Sequence, residues 1–80
     1  KIAYLKWLGV TAIELLPIHE FDECDCPFVN PDTGEPLRNF WGYNSISFAA
    51  PKGAYASNAA EHGQFHEFRD FIRACHSAGI

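Results

Sequence analysis

Apolar positions along the chain fall into stretches with different periods. Ile2, Leu5 and Leu8 recur at helical spacing, and Gly9 stands where a glycine closes a helix, so a helix is predicted over residues 1–8. Residues 10–16, Val-Thr-Ala-Ile-Glu-Leu-Leu, are nearly continuously apolar rather than alternating. That is the pattern of a parallel strand covered on both faces, and Pro17, which has no N–H, punctuates its end. Ile46-Ser47-Phe48-Ala49 alternates and predicts a short strand ended by Pro51. From about Gln64 a second helix is expected. Phe65, Phe68, Phe71, Ile72 and Cys75 mark its apolar face, and Glu67, Arg69, Asp70 and Arg73 lie off it. Residues 30–36, Asn-Pro-Asp-Thr-Gly-Glu-Pro, read as a turn, and residues 52–63 as loop.

The two helices carry a weak internal echo. Gly79 ends the second as Gly9 ends the first, and Ile80 takes the place of Val10. A minimal strand–helix–strand unit needs roughly 30 residues, so the connection here is long. Its surplus lies after the strand and before the helix, where long connections usually carry function. The expected class is α/β: a slice of a repeating β/α fold that opens in one helix and stops at the start of the next strand. With no complete domain and one parallel strand lacking a partner, the isolated piece is expected to be unstable.

Composition narrows the function. Hydrophobic residues make up 48%, which is ample for a core and argues against disorder. A net charge of -4 disfavours nucleic acid and anionic membrane as partners. No apolar run approaches the roughly 20 residues that cross a bilayer. Cys24 and Cys26 are too close for an easy bridge, and Cys75 falls in a helical pattern. Free thiols and a reducing, cytoplasmic setting are expected. A metal module on Cys24, Cys26 and His19 lacks the second ligand pair that zinc sites use.

Three stretches hold candidate chemistry. Asn39-Phe40-Trp41-Gly42-Tyr43-Asn44 sets three rings around a glycine, with an amide at each end. Rings plus amides that read hydroxyl groups suit a sugar, which has an apolar face and a polar rim. The same rings could instead fill a local core. Glu20, Asp22, Glu23 and Asp25 cluster just after the first strand, at the end where α/β folds place their sites. Oxygen ligands at that density could hold calcium, but a solvated acidic loop is the favoured reading, and EF-hand spacing is absent. Glu14 interrupts the apolar strand, and a structural ion pair is favoured for it over catalysis.

Residues 8–18 (LGVTAIELLPI), 19–23 (HEFDE), 39–48 (NFWGYNSISF) and Ala50-Pro51 closely resemble the isoamylase-type glycogen debranching enzymes, in the α-amylase superfamily of glycoside hydrolases. Glu67-Phe68-Arg69 and residues 76–80 (HSAGI) resemble the family helix that leads into the next barrel strand. The likeness spans nearly the whole chain, more loosely over residues 24–37 and 52–63. It implies a partial (β/α)8 TIM barrel: the end of the first helix, the second strand, a long βα loop and the second helix. Residues 1–80 would then be a fragment of the catalytic barrel domain.

The resemblance further implies hydrolysis of α-1,6-glucosidic branch points in glycogen or amylopectin-type glucans by a retaining mechanism. Its two carboxylates would lie roughly 5 Å apart. They belong to later strands, so no catalytic residue is placed in this chain. Tyr43 matches the family tyrosine that forms a platform under the glucose unit being cleaved. Trp41 and Asn44 match the same motif, and support roles are expected: packing beneath the loop, and a hydrogen bond fixing it. Some relatives bind calcium through a glutamate at the position of Glu20, although Phe21 and Glu23 stand where those relatives have polar neutral ligands. No other cofactor is implied. The implied partners are an α-glucan and the remainder of the barrel, with no nucleic acid and no membrane. The alternatives are a branching or trehalose-releasing relative within the superfamily, or a non-catalytic carbohydrate-binding module.

Overall fold

Both predicted helices form, and the same device ends each of them. The computed structural model describes residues 1–58 and 60–80. Helix α1 spans Ile2–Trp7 and helix α2 spans Gly63–Ala78. Past α1, Gly9 takes φ +85°, its N–H donates to the Lys6 carbonyl, and the Val10 N–H donates to the Leu5 carbonyl, both at 3.0 Å. Past α2, Gly79 takes φ +79°, donating to His76, and Ile80 donates to Cys75, again at 3.0 Å. This nested pair of bonds is the Schellman motif, and a residue without a Cβ adopts its left-handed turn at no steric cost. The echo seen in the sequence is thus a repeat of one chain-reversal geometry.

The chain divides into two compact units, Lys1–Leu15 with Gly53–Ile80, and Leu16–Lys52. In the first, the apolar stripe of α2 falls as its spacing demands. Cys75 is buried, Phe68 and Ile72 are half-buried, and Phe65 and Phe71 are more open. A groove is lined by Ile13 and Leu15 on one side and by Phe68, Phe71, Ile72 and Cys75 of α2 on the other. The expectation of a strand over residues 10–16 is not met, because that stretch forms no strand. A strand exists only as a partner in a ladder, and no described residue pairs with this one. Glu14 is correspondingly exposed, and among the described residues it has no ion-pair partner.

The loop read over residues 52–63 contains two short 3-10 turns, Gly53–Tyr55 and Ala60–His62. Glu67 of α2 holds it. Its carboxylate accepts the Ser57 and Asn58 N–H groups at 3.1 Å and the Ser57 hydroxyl at 2.8 Å. The Ser57 N–H, then its hydroxyl, then the Asn58 N–H favour the ionised form and lower the Glu67 pKa. A carboxyl whose pKa is depressed in the folded state adds stability above its ordinary pKa and loses it as pH falls through the folded value. Glu67→Gln in the full-length protein is therefore expected to make the acid-side fall of Tm shallower. A thermal-melt series over pH that shows an unchanged acid limb would remove this clamp from the account.

In the second unit, β1 (His19–Phe21) pairs antiparallel with β2 (Ser45–Pro51). The register sets His19 against Pro51, Glu20 against Ser47 and Phe21 against Ser45, with irregularities between successive pairs. The alternating stretch from Ile46 thus forms its strand, extended by a residue or two at each end. Residues 30–36 turn as expected: the Gly34 N–H donates to the Asn30 carbonyl and the Asn30 N–H to the Glu35 carbonyl, both at 2.8 Å. Val29 and Pro36 form a bridge just outside. The three cysteines are free. Phe21 is the buried apolar side chain of this unit, 3% exposed, whereas Phe40 and Phe48 stand 84% and 83% exposed.

Candidate functional site

The loop over residues 39–44 is built by two amides working on each other and on the main chain. The Asn39 side-chain carbonyl accepts the N–H groups of Trp41 at 3.1 Å and Gly42 at 3.0 Å. Asn39 Nδ2 donates to Asn44 Oδ1 at 2.6 Å, which joins the two ends of the loop. Asn44 Nδ2 in turn donates to Asp25 Oδ2 at 2.9 Å and to the Asp22 carbonyl at 3.4 Å. The Asn39 N–H donates to the Glu23 carbonyl at 2.8 Å. Asparagine suits such a position because its short side chain mimics a backbone turn. Both amides are engaged in shaping the loop and tying it to Asp22 and Asp25. Asn44 does supply the hydrogen bonds that fix the loop.

Gly42 is the contact between this loop and what lies below it. It is buried, with φ +77°. A Cβ added there would fall 2.7 Å and 2.8 Å from Phe21 Cε1 and Cδ1, and 3.2 Å from Pro17 Cβ. The backbone therefore lies directly on the Phe21 ring and on Pro17, the residue that closes the Leu15-Leu16-Pro17 segment. Glycine is needed twice over, for the sign of φ and for the closeness of the ring.

With its backbone seated, the loop turns its rings outward. Tyr43 is 72% exposed and Trp41 67% exposed. Within this chain Trp41 does not pack beneath the loop, where Phe21 and Pro17 lie against Gly42. The reading of the three rings as a filled local core is not met either. What the arrangement offers is a rigid backbone carrying open aromatic faces, which suits burial of an apolar ligand surface.

Beside Phe21 lies a charged centre that sequence reasoning missed. Lys52 is 4% exposed, and its Nζ lies 3.1 Å from Glu20 Oε1, 3.0 Å from Glu23 Oε1 and 3.0 Å from the Phe21 carbonyl oxygen. The ammonium also lies 4.0 Å from the centroid of the Phe21 ring. Burial by itself would lower the lysine pKa, but the hydrogen bonds and charges of Glu23 and Glu20 outweigh it, and the net shift is upward. Lys52, then Arg38, whose Nη1 lies 3.1 Å from Glu23 Oε2, hold the Glu23 pKa below its ordinary value. The sign of each shift keeps this centre charged across the neutral range: it weakens as acid protonates Glu23, and as strong alkali discharges Lys52. A lysine between Pro51 and Gly53 in a polar loop carried no signal of its own. The signal was indirect: Glu20 and Glu23 had no cation near them in sequence.

Two carboxylates of the acidic stretch, Glu20 and Glu23, are thus paired with Lys52. Glu20, the candidate calcium ligand, shares its carboxylate with Lys52. Among the described residues no group of three or more His, Cys, Asp or Glu side chains is arranged to hold a metal ion. Among them, too, no helix is long and apolar enough to cross a membrane.

No family model matches the chain, and no solved structure matches it. Curated relatives do. Over 83 residues the chain is 39% identical to isoamylase SU1, chloroplastic, of Zea mays, with 100% of this chain and 10% of the relative covered. It is 43% identical over 79 residues to the glycogen operon protein GlgX homolog of Mycobacterium tuberculosis, with 99% of this chain and 10% of the relative covered. Against the glycogen debranching enzyme of Serratia proteamaculans it is 39% identical over 85 residues, with 99% and 11% covered. The chain spans about a tenth of the length of the curated relatives it matches. Matched along its whole length, it belongs, as a fragment, to the family of the isoamylases and glycogen debranching enzymes.

Proposed function

We propose that this chain is the part of a glycoside hydrolase that seats the substrate at α-1,6-glucosidic branch points of glycogen or amylopectin-type glucans. It would be a fragment of a catalytic (β/α)8 barrel whose carboxylates lie on other segments. Tyr43 is the platform on which one glucose ring lies, Asn44 locks the loop that carries it, and Trp41 adds a second open ring beside it. The observation that carries this reading is the outward phenol on a loop seated over Pro17 and Phe21. Kinship with proteins named as isoamylases and glycogen debranching enzymes supports the reaction. Free cysteines support a reducing, cytoplasmic setting, although the maize relative is named as chloroplastic. Calcium held through Glu20 would have to share that carboxylate with Lys52.

The test is the product pattern of the full-length protein. Incubation with amylopectin is expected to release linear chains, leaving linear maltooligosaccharides intact. Release of trehalose, transfer of chains to new branches, or binding without hydrolysis would point to the branching or trehalose-releasing relative or to a binding module instead.

A further inference from the structure

Two features of the Leu16–Lys52 unit meet on one side chain. The buried Lys52 ammonium lies over the Phe21 ring, 4.0 Å from its centroid. Gly42 rests against Cδ1 and Cε1 of that same ring, so closely that a Cβ would clash at 2.7 Å. Phe21 thus lies between a fixed charge and the loop that presents Tyr43. The ring is 3% exposed, so displacing it would disturb one contact or the other. Lys52 itself is pinned at both ends. Its N–H donates to the Ile18 carbonyl at 2.8 Å, and its ammonium is held by Glu20, Glu23 and the Phe21 carbonyl.

We propose that Lys52 is a positioning residue for the substrate platform: its ammonium, clasped by Glu20 and Glu23, fixes the Phe21 ring, and that ring sets the height and tilt of the Gly42–Tyr43 backbone. The proposal rests on the reading of Tyr43 as a glucose platform, and it adds the device that keeps the platform in place. A buried ammonium is costly unless fully paired. Here the three oxygens around it offset that cost, and the centre acts as a resident cation joining β1, the acidic stretch after it and the end of β2. Lys52 need not touch substrate. Its effect reaches the sugar only through Phe21 and Gly42, so it vanishes when the Tyr43 ring is absent.

The experiment is a double-mutant cycle in the full-length protein, read on kcat/KM for a branched glucan. Lys52→Met, which keeps length and removes charge, is expected to lower kcat/KM by about tenfold when Tyr43 is present. In a Tyr43→Ala background the same substitution is expected to change it less than about twofold. The Tm shift caused by Lys52→Met should be the same in both backgrounds, since the folding role of the charge does not depend on Tyr43. Equal losses of activity in the two backgrounds, or no loss with Tyr43 present, would overturn the proposal while leaving the platform reading intact. A silent Tyr43→Ala would overturn the platform reading, and this proposal with it. Should Lys52→Met accumulate poorly, Glu23→Gln removes one of the clasping charges at constant shape. It is expected to show the same coupling to Tyr43 at about threefold, and absence of that coupling counts against the proposal equally.

Discussion

Tyr43→Ala in the full-length protein is expected to lower kcat/KM on amylopectin by roughly ten- to a hundredfold, with little change in Tm. Burial of an aromatic side chain is worth about 1.5–3 kcal/mol, and each 1.4 kcal/mol is about a factor of ten in rate. Tyr43 is 72% exposed within this chain, and that open face is the area a glucose ring would cover. The same exposure is why the fold should tolerate the change. Tyr43→Phe separates the ring from the hydroxyl: if stacking dominates, it retains most of the activity. Steady-state kinetics on branched and linear glucans, with thermal melts of each variant, check this. Wild-type turnover by Tyr43→Ala would reject the platform.

The second large effect is expected at Gly42. An alanine there must adopt φ +77° and place a Cβ 2.7 Å from Phe21, a ring that has nowhere to go. Holding a non-glycine residue in that conformation costs about 1–3 kcal/mol, and the clash adds to it. Gly42→Ala should therefore lower Tm by several degrees and, by lifting the loop off Phe21, lower activity as well. Gly34 supplies an internal control. It has φ +73°, but nothing lies within 4 Å of where its Cβ would be. Gly34→Ala should carry only the backbone strain and leave activity unchanged. If the two variants melt and turn over alike, Gly42 is not a packing contact and the seat beneath the loop is misassigned.

What the sequence disclosed and what it hid divide along physical lines. Helix ends were legible because Gly9 and Gly79 act locally, through bonds to residues three and five positions back. The turn over residues 30–36 and the strand around Ile46 were legible for the same reason, since turn chemistry and alternation are short-range signals. The stretch over residues 10–16 forms no strand here, because an apolar run specifies a surface to be covered and not the partner that pairs with it. At the candidate site, the aromatic motif drew attention to the loop, and Asn44 bonds there to Asn39, Asp25 and the Asp22 carbonyl. Nothing in the motif discloses that Phe21, some twenty positions away, lies beneath Gly42. Lys52 went unnoticed for a similar reason. Its partners Glu20 and Glu23 lie about thirty residues earlier, and a long-range ion pair leaves no periodic trace.

The most direct measurement is the structure of the full-length protein bound to a branched maltooligosaccharide. The account predicts a glucose ring lying flat on the Tyr43 phenol at van der Waals distance, about 4 Å, with Asn39 and Asn44 still bonded to each other beneath it. A sugar seated elsewhere, with the Tyr43 ring turned away from it or buried against protein, would contradict the account.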